Sequence, residues 1–285
     1  MSRWRQALQW AVGLALLGAL GWQLDASEIG HRLLALQALP LVGGLAAAIA
    51  ANVLSALRWR RIAADLGCVR PTSGFLVRYA QGVSLNTVLP GATLGGDAWR
   101  SAWLSGTDCP LPRAALSVLL DRVTGLWTLA LIALVAVPLA QGSPPQTLLL
   151  LLAGLVLGPL ALLLPPVAAL ARRFALPGPR APLWRHAAAA SLAVQSLSCA
   201  ALWCSALAVG AALDPAATLV LAGGLFIAAA LPASAFGFGS REAAAAWLFP
   251  LFGIDAGTGV AVSIAFGSLG VLQGVLYLPL WWRRH

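Results

Sequence analysis

The feature that most constrains this chain is a set of apolar runs, each long enough to cross the hydrocarbon layer of a membrane. A helix needs about 20 residues to span roughly 30 Å of hydrocarbon. Hydrophobic residues make up 60% of the 285-residue chain and charged residues only 9%. The runs predict an all-α polytopic membrane protein that forms one integral membrane domain over 1–285. Six full crossings are predicted, at 7–24, 39–57, 114–138, 147–169, 187–211 and 258–281.

The distribution of arginine favours one orientation. All 18 basic residues are arginine, and the formal net charge is +9. Because the arginines flank the apolar runs, we interpret them as topology signals and predict no nucleic-acid binding. The pattern, in an arginine-rich and alanine-rich chain, predicts a bacterial inner-membrane protein with both termini in the cytoplasm. The basic residues then predicted to be cytoplasmic are Arg3, Arg5, Arg58, Arg60, Arg61, Arg172, Arg173, Arg180, Arg185, Arg283 and Arg284.

Cysteine and histidine give no indication of catalytic or metal chemistry. The four cysteines form no CxxC pair, and the three histidines are scattered over loops and the C-terminus. Two of the cysteines, Cys199 and Cys204, lie inside one apolar run, where thiols act as small hydrophobic groups. No GxxxxGK[ST] loop is present, so ATP is not expected to drive the protein directly. We predict no metal, no cofactor and no catalytic residue.

Two stretches interrupt the apolar pattern, "LPGATLGGDAWRSAWL" at 89–104 and "LPASAFGFGSREAAAAWL" at 231–248. Proline and glycine break both of them, yet they are too apolar for solvated loops. Irregular backbone at membrane depth is tolerated only where protein or a water-filled cavity satisfies its polar groups. We therefore predict re-entrant hairpins at about 75–104 and 216–250. The residues expected to shape their backbones are Pro90, Gly95, Gly96, Pro232, Gly237 and Gly239.

The two stretches also resemble each other, which predicts an internal repeat. Each has Leu-Pro, a glycine five residues after the proline, charged residues and a closing Trp-Leu. Each follows two predicted spans and precedes a third, and the second copy enters from the opposite face. Candidate inverted repeats are 1–140 and 146–285, a layout that places a transport site near the midplane. Chance similarity between such common residue types is the alternative.

Three arginines of the interrupted and adjacent segments are predicted to bind a lipid headgroup. An ionisable group inside a span costs roughly 2.5 to 3.5 kcal/mol, so it needs a partner or water. We predict that Arg100, Arg122 and Arg241 converge on one phosphate, which guanidinium groups bind in planar, often bidentate geometry. The predicted supporting residues are Asp97, Asp121, Ser240 and Glu242.

Two alternatives apply to the supporting residues. Asp121 and Arg122 point about 100° apart on a helix, so Asp121 is expected to pair with another arginine, such as Arg100. The third span could instead begin later and leave Asp121 and Arg122 at the cytoplasmic interface. Ser240 and Glu242 could instead only cap a helix that begins after the glycines.

Together, "SLNTVLPGATLGGDAWRSAWL", "SVLLDRVTGLW" and "LPASAFGFGSREAAAAWLF" resemble the lysylphosphatidylglycerol synthase transmembrane family, which is flippase-like. The resemblance runs from about Leu8 to Trp282 and implies re-entrant hairpins and movement of lipids between leaflets. The soluble aminoacyl-transferase half is missing from this chain, so no synthase activity is expected. The family motifs fall on Pro90, Gly96, Asp97, Arg100, Asp121, Arg122, Gly239, Ser240, Arg241 and Glu242.

The sequence therefore predicts a lipid translocator, not an enzyme. Its expected substrate is an anionic or aminoacylated phospholipid or a polyprenyl-phosphate-linked lipid, and its partners are membrane lipids with a separate lipid-modifying enzyme as a further candidate. One alternative is a membrane-embedded accessory or scaffold subunit of such an enzyme. Another is a membrane-embedded transferase, for which Asp97 and Glu242 are the candidate general bases.

Overall fold

The computed structural model describes residue 18 and residues 24–88, 94–141, 181–230 and 239–282. From residue 24 onward, these ranges form nine α-helices, two short 3-10 helices and no strand. The α-helices are α1 (Ala26–Leu34), α2 (Ala38–Asp65), α3 (Thr72–Val88), α4 (Leu94–Leu104), α5 (Leu111–Gln141), α6 (Ala181–Val209), α7 (Pro215–Ala230), α8 (Ser240–Leu248) and α9 (Ala256–Leu276). The 3-10 helices, Phe249–Phe252 and Leu278–Trp281, follow α8 and α9.

Four helical segments in the described ranges are long and apolar enough to cross a membrane. They are Ala38–Asp65, Leu111–Val137, His186–Val209 and Ala256–Trp281. These correspond to the crossings predicted at 39–57, 114–138, 187–211 and 258–281. The chain is thus a multi-pass α-helical membrane protein. Apart from residues 18 and 24, the crossings predicted at 7–24 and 147–169 lie outside the described residues.

Two pairs of shorter helices coincide with the predicted hairpins. We call α3 with α4 the first hairpin and α7 with α8 the second hairpin. None of these four helices reaches 20 residues, and the helices of each pair pack against each other. The connecting residues 89–93 and 231–238, with Pro90, Pro232 and Gly237, lie outside the described residues. Re-entry of the two hairpins at membrane depth stays a prediction.

The two hairpins start from opposite ends of the molecule. The start of α2 lies beside the end of α6, where the Gln37 N–H donates to the Ala208 carbonyl at 3.0 Å. After 28 residues, α2 reaches Cys68, which forms a disulfide with Cys109. The first hairpin lies between these two cysteines and so begins and ends at that end of the molecule. The second hairpin follows Asp214, shortly after the end of α6.

Charge distinguishes these two ends, which we call the arginine end and the acidic end. Arg60, Arg61 and Arg70 are exposed near the disulfide, at the arginine end. At the acidic end, aspartates cap three helices: Asp25 caps α1, Asp214 caps α7 and Asp255 caps α9. Hydrogen bonds from Thr258 hold the pKa of Asp255 below its ordinary value.

The Cys68–Cys109 disulfide was not predicted from the sequence. The two Cα atoms are 5.1 Å apart, although the residues are 41 positions apart in sequence. The absence of a CxxC pattern excluded only a local pair, whereas here the fold brings two distant loops together. Cys199 is buried in an apolar cluster, as predicted for a thiol that acts as a small hydrophobic group.

Apolar packing holds each hairpin against a long helix. Near the disulfide, Trp59 of α2 meets Phe75 of α3 edge-on at 4.7 Å, and Phe75 meets Trp103 of α4 at 5.3 Å. Ala245 of α8 and Phe249 of the 3-10 helix that follows it join a buried cluster with residues of α6, α7 and α9. Helix α9 contacts both hairpins, through α3 and through α8. It therefore connects the two regions that carry the predicted site residues.

Candidate functional site

Five charged residues from three helices form a continuous series of ion pairs. We call Arg58, Asp121, Arg100, Asp97 and Arg122 the ion-pair chain. Asp121 on α5 accepts from Arg58 Nε at 2.8 Å and from Arg100 Nη1 at 3.0 Å. Asp97 on α4 accepts from Arg100 Nη2 at 2.7 Å and from Arg122 Nε at 3.0 Å. Three arginines and two carboxylates leave this chain with a net charge of +1.

The ion-pair chain runs from a buried end at Arg58 to a partly exposed end at Arg122. The side chains of Arg58, Asp121 and Arg100 are 5%, 2% and 3% exposed, whereas that of Arg122 is 35% exposed. Asp121 lies ten residues after Leu111, about 15 Å along α5 at 1.5 Å per residue. An ion buried in the protein interior is costly without a partner. In the ion-pair chain, each of the two carboxylates is paired with two guanidinium groups, which offsets this cost.

Aromatic rings and hydroxyl groups complete the surroundings of the buried arginines. The Arg100 guanidinium lies 4.8 Å from the ring centroid of Tyr79 and 5.0 Å from that of Trp59, distances typical of cation–π contacts. Arg58 Nη1 donates to Ser191 Oγ on α6 at 2.9 Å. Residues of α2, α3, α5 and α6 therefore contact the buried guanidinium groups of Arg58 and Arg100. Asp97 and Arg100 connect α4 to the same network.

A second cluster lies where the second hairpin meets α9. Helix α8 begins at Ser240, and Gly239 before it has φ 95°, in the left-handed region that favours glycine. The Glu242 carboxylate accepts from the Gly239 N–H at 2.6 Å, from Arg241 Nη2 at 2.9 Å and from Ser263 Oγ of α9 at 2.9 Å. Arg241 Nε also donates to Ser263 Oγ at 3.0 Å. Both Arg241 and Glu242 are buried.

A cavity of about 370 Å³ connects the second cluster with the first hairpin. Its polar lining comprises Asn86 and Thr87 of α3, Arg241 of α8 and Gln273 of α9, and the rest of its described lining is apolar or glycine. The volume falls in the range of small-molecule sites, roughly 300 to 1,000 Å³. Arg241 is the charged residue of the described lining. The cavity is thus an apolar groove with one cation and a few amide and hydroxyl groups.

Two amide groups in this cavity present their N–H donors. Asn86 Oδ1 accepts from the Gly96 N–H of α4 at 2.8 Å. Gln273 Oε1 accepts from Asn52 Nδ2 of α2. Each amide oxygen accepts one internal hydrogen bond and keeps a second lone pair, so Asn86 and Gln273 can offer a ligand both NH2 donors and an acceptor. Together with the guanidinium of Arg241, the lining favours an acceptor such as a phosphate or hydroxyl oxygen.

The structure brings some of the predicted site residues together and separates others. Arg100 and Arg122 meet on Asp97, and the expected pairing of Asp121 with Arg100 is confirmed. Arg241 lies in the second cluster, on another hairpin, and lines the cavity, whereas the described lining includes neither Arg100 nor Arg122. Convergence of all three arginines on one phosphate stays a prediction.

Capping in the second hairpin differs in detail from the expectation. Ser240 is the first residue of α8 and not its cap. Glu242 performs the capping instead by accepting from the Gly239 N–H. Gly95 and Gly96 both lie in the first turn of α4, where Gly96 passes close to the α3 backbone. A Cβ atom at Gly96 would lie 2.5 Å from the Gly82 carbonyl oxygen.

Arg58 and the cavity amides were not predicted as site residues. Arg58 was interpreted as a cytoplasmic topology signal together with Arg60 and Arg61, but its side chain is buried on Asp121. Helix periodicity could have separated them, because residues two positions apart point about 200° apart. Asn52, Asn86 and Gln273 gave no signal, since an amide within an apolar run is equally consistent with helix packing.

The chain was also compared with known proteins. A family model described as the transmembrane region of lysylphosphatidylglycerol synthase matches residues 6–276, which is nearly the whole chain. No curated protein matches the chain.

Proposed function

The chain belongs to the lysylphosphatidylglycerol synthase transmembrane family, and on this basis we propose that it moves lipids between the two leaflets of a bacterial inner membrane. The family is a membrane domain associated with lipid handling. The proposed substrate is an amphiphile with a phosphate-bearing headgroup, either a phospholipid or a polyprenyl-phosphate-linked lipid. The headgroup enters the cavity while the acyl or prenyl chains stay in the bilayer.

The cavity between the first hairpin, α8 and α9 is the observation that carries this proposal. It combines the Arg241 guanidinium with amide donors and an otherwise apolar wall. Guanidinium groups bind phosphate oxygens with two parallel hydrogen bonds, which gives both affinity and orientation. An apolar wall beside that cation suits a ligand whose tails remain in hydrocarbon. A water-soluble anion without apolar tails would gain no stabilisation from contact with this apolar wall.

Arg122 supports the proposal as a second point of contact. Its side chain is 35% exposed, and the Asp97 side chain that holds it is 19% exposed. The ion-pair chain carries a net charge of +1, so an anion near Arg122 would neutralise it. We propose that the headgroup passes from one of these two arginines to the other.

The hydrogen bonds of the carboxylates favour transport over a transferase. Asp97 accepts from Arg100 and Arg122, and Glu242 accepts from Arg241. These charge-assisted hydrogen bonds occupy the carboxylates and fix the guanidinium groups beside them. The two residues considered as general bases are thus better suited to positioning arginines than to acid–base catalysis.

Lipid translocation in proteoliposomes tests this function. The assay follows the accessibility of fluorescent phosphatidylglycerol in the outer leaflet, with wild type beside Arg122→Gln, Arg241→Gln and the exposed control Arg61→Gln. Loss of one charge-assisted hydrogen bond costs roughly 1.5 to 3 kcal/mol, which corresponds to a fall of about 10-fold or more. We expect this fall in the first two variants and none in the control.

A cavity-filling variant separates loss of transport from loss of folding. A Cβ atom at Gly270, which lines the cavity, would meet no atom within 4 Å. Gly270→Leu therefore fills the cavity without touching an ion pair, and Gly30→Leu on α1 is its control at an equally open position. We expect transport to fall only in Gly270→Leu. Wild-type liposomes that behave like protein-free ones would refute translocation and favour an accessory subunit.

A further inference from the structure

We propose that Arg78 of the first hairpin, together with Trp99 and Trp103, forms a further binding site for a lipid phosphate at the arginine end of the molecule. This inference rests on the proposed function and adds to it the place where a headgroup binds before it enters the cavity. It concerns a cation that belongs neither to the ion-pair chain nor to the described cavity lining.

Arg78 carries a charge that no acidic side chain of the described ranges offsets. All nine acidic residues lie in these ranges, and within them none forms an ion pair with Arg78. Its Nη1 donates instead to the neutral amide oxygen of Gln81 at 2.7 Å. By contrast, every arginine of the ion-pair chain and Arg241 are paired with a carboxylate. Arg78 is therefore a partly buried cation whose charge remains available to an anion.

Two tryptophan rings position this cation without neutralising it. The Arg78 Cζ atom lies 5.7 Å from the ring centroid of Trp99 and 5.8 Å from that of Trp103, within the roughly 6 Å of cation–π contacts. The rings carry no net charge, so the charge of the guanidinium stays uncompensated. A guanidinium has five N–H donors, and among the described residues the bond to Gln81 uses one of them. Donors thus remain for phosphate oxygens, which guanidinium groups bind in planar geometry.

The position of Arg78 favours a lipid as the source of that phosphate. Arg78 lies six residues after the start of α3, about 9 Å along the helix from the arginine end. Beside it, Trp99 packs on Trp281 at 4.9 Å between ring centroids, and Trp282 is 77% exposed. Tryptophan is enriched at the level of the lipid headgroups, where its ring contacts both hydrocarbon and water. A cation among such rings is placed to meet a phosphate at the surface of the bilayer.

Gln81 connects this site to the contacts that separate it from the cavity. Its Nε2 donates to the Leu280 carbonyl at 2.9 Å, and Ser84 Oγ donates to the Gly274 carbonyl at 2.9 Å. Helix α3 runs inwards from the arginine end and α9 runs towards that end, so both bonds lie between Arg78 and the cavity. They must separate before a headgroup enters the cavity from this side. A phosphate on Arg78 competes with Gln81 for its guanidinium and so acts directly beside these bonds.

Lipid binding in detergent tests this site apart from the other arginines. Short-chain phosphatidylglycerol is titrated against the purified full chain that carries Arg122→Gln and Arg241→Gln, which removes both cations of the proposed headgroup path. We expect this variant still to bind the lipid, and we expect added Arg78→Gln to weaken binding at least about 10-fold, since a charge-assisted hydrogen bond is lost. Added Arg61→Gln, at an exposed position of the same end, should leave the affinity unchanged.

Two further variants separate the charge of Arg78 from its packing and from loss of folding. Arg78→Lys keeps the cation, so it should bind the lipid more tightly than Arg78→Gln, whereas a residue that only packs on the tryptophans would not distinguish the two. If the background with Arg122→Gln and Arg241→Gln does not fold, Gly270→Leu, which fills the cavity, takes its place.

The outcomes distinguish this inference from the proposed function. No binding in the background variant, or equal binding with and without Arg78→Gln, would overturn the inference. Glycerophosphoglycerol, which lacks acyl chains, is the second probe. If it binds as tightly as the lipid, the site recognises a free phosphodiester and the assignment to a lipid is overturned. Binding that depends on Arg78 without translocation in liposomes would support the site and refute only the proposed function.

Discussion

Asp121 is the residue on which the buried charges of this protein depend most directly. Its carboxylate faces Arg58 on one side and Arg100 on the other, and all three side chains are at most 5% exposed. A buried ion pair is weak evidence for stability as a whole, but removal of one partner leaves an uncompensated buried charge. The fold therefore tolerates the arginines only as long as the carboxylate is present.

Asp121→Asn tests this dependence at nearly constant volume. We expect the substitution to lower the free energy of unfolding by roughly 3 to 5 kcal/mol, because two guanidinium groups lose their counter-charge. Thermal unfolding in detergent, followed by tryptophan fluorescence, measures it. Asp65→Asn, at an exposed position near the end of α2, is the control and should stay within about 0.5 kcal/mol. A melting temperature equal to wild type in Asp121→Asn would show that these ion pairs add little.

Among the elements, the first hairpin depends on close approach between α3 and α4. Gly96 lies against the α3 backbone, and its N–H donates to the Asn86 side chain that lines the cavity. The contact thus connects the packing of the hairpin directly to the orientation of a cavity amide. A residue with a side chain at this position would alter both.

Gly96→Ala should separate the two helices of the first hairpin. The added methyl group would lie 2.5 Å from the Gly82 carbonyl oxygen and 2.7 Å from Asn86 Oδ1, too close for either to remain in place. We expect a loss of roughly 1 to 3 kcal/mol in the free energy of unfolding, as for overpacked sites, together with slower translocation. Gly30→Ala on α1 meets no atom within 4 Å and should be neutral or slightly stabilising. Wild-type stability and transport in Gly96→Ala would contradict this close packing.

For the whole molecule, the packing of the helices supports the proposal of an inverted repeat. In an inverted repeat, the first hairpin would correspond to the second hairpin and α5 to α9. Each helix contact that α5 makes should then have a counterpart made by α9. Helix α5 packs on α7 and α4, and helix α9 packs on α3 and α8. The remaining pair, α2 and α6, pack against each other. We propose that the two halves descend from one duplicated unit with the cavity near its pseudo-symmetry axis.

Orientation in the membrane leads to a prediction about the disulfide. We propose that the arginine end faces the cytoplasm, which is reducing and keeps protein thiols unpaired. Cys68 and Cys109 should therefore be thiols in growing cells and should join only after oxidation. Alkylation with a mass-adding maleimide after acid quenching counts free thiols in a variant with Cys199 and Cys204 replaced by alanine. A fully oxidised pair in untreated cells would indicate the opposite orientation.

The sequence by itself determined the class of the protein and most of its elements. Runs of about 20 apolar residues have few alternatives to a membrane helix, because hydrocarbon supplies no partner for an unpaired backbone group. For the same reason, proline and glycine within apolar stretches located the two hairpins. The motifs also gave the family. Asp121 could be expected to pair with an arginine, since an unpaired ion inside a span is costly.

The tertiary structure alone decided which charges meet. Arg58 joins Asp121 across 63 positions, and Cys68 joins Cys109 across 41. Neither pair has a local signature, because each arises only when distant helices pack. The orientation of the cavity amides is decided in the same way, since Asn86 accepts from Gly96 and Gln273 accepts from Asn52 only once these helices pack. Sequence periodicity shows which face a residue occupies on its own helix, but the partner on the next helix depends on packing between helices.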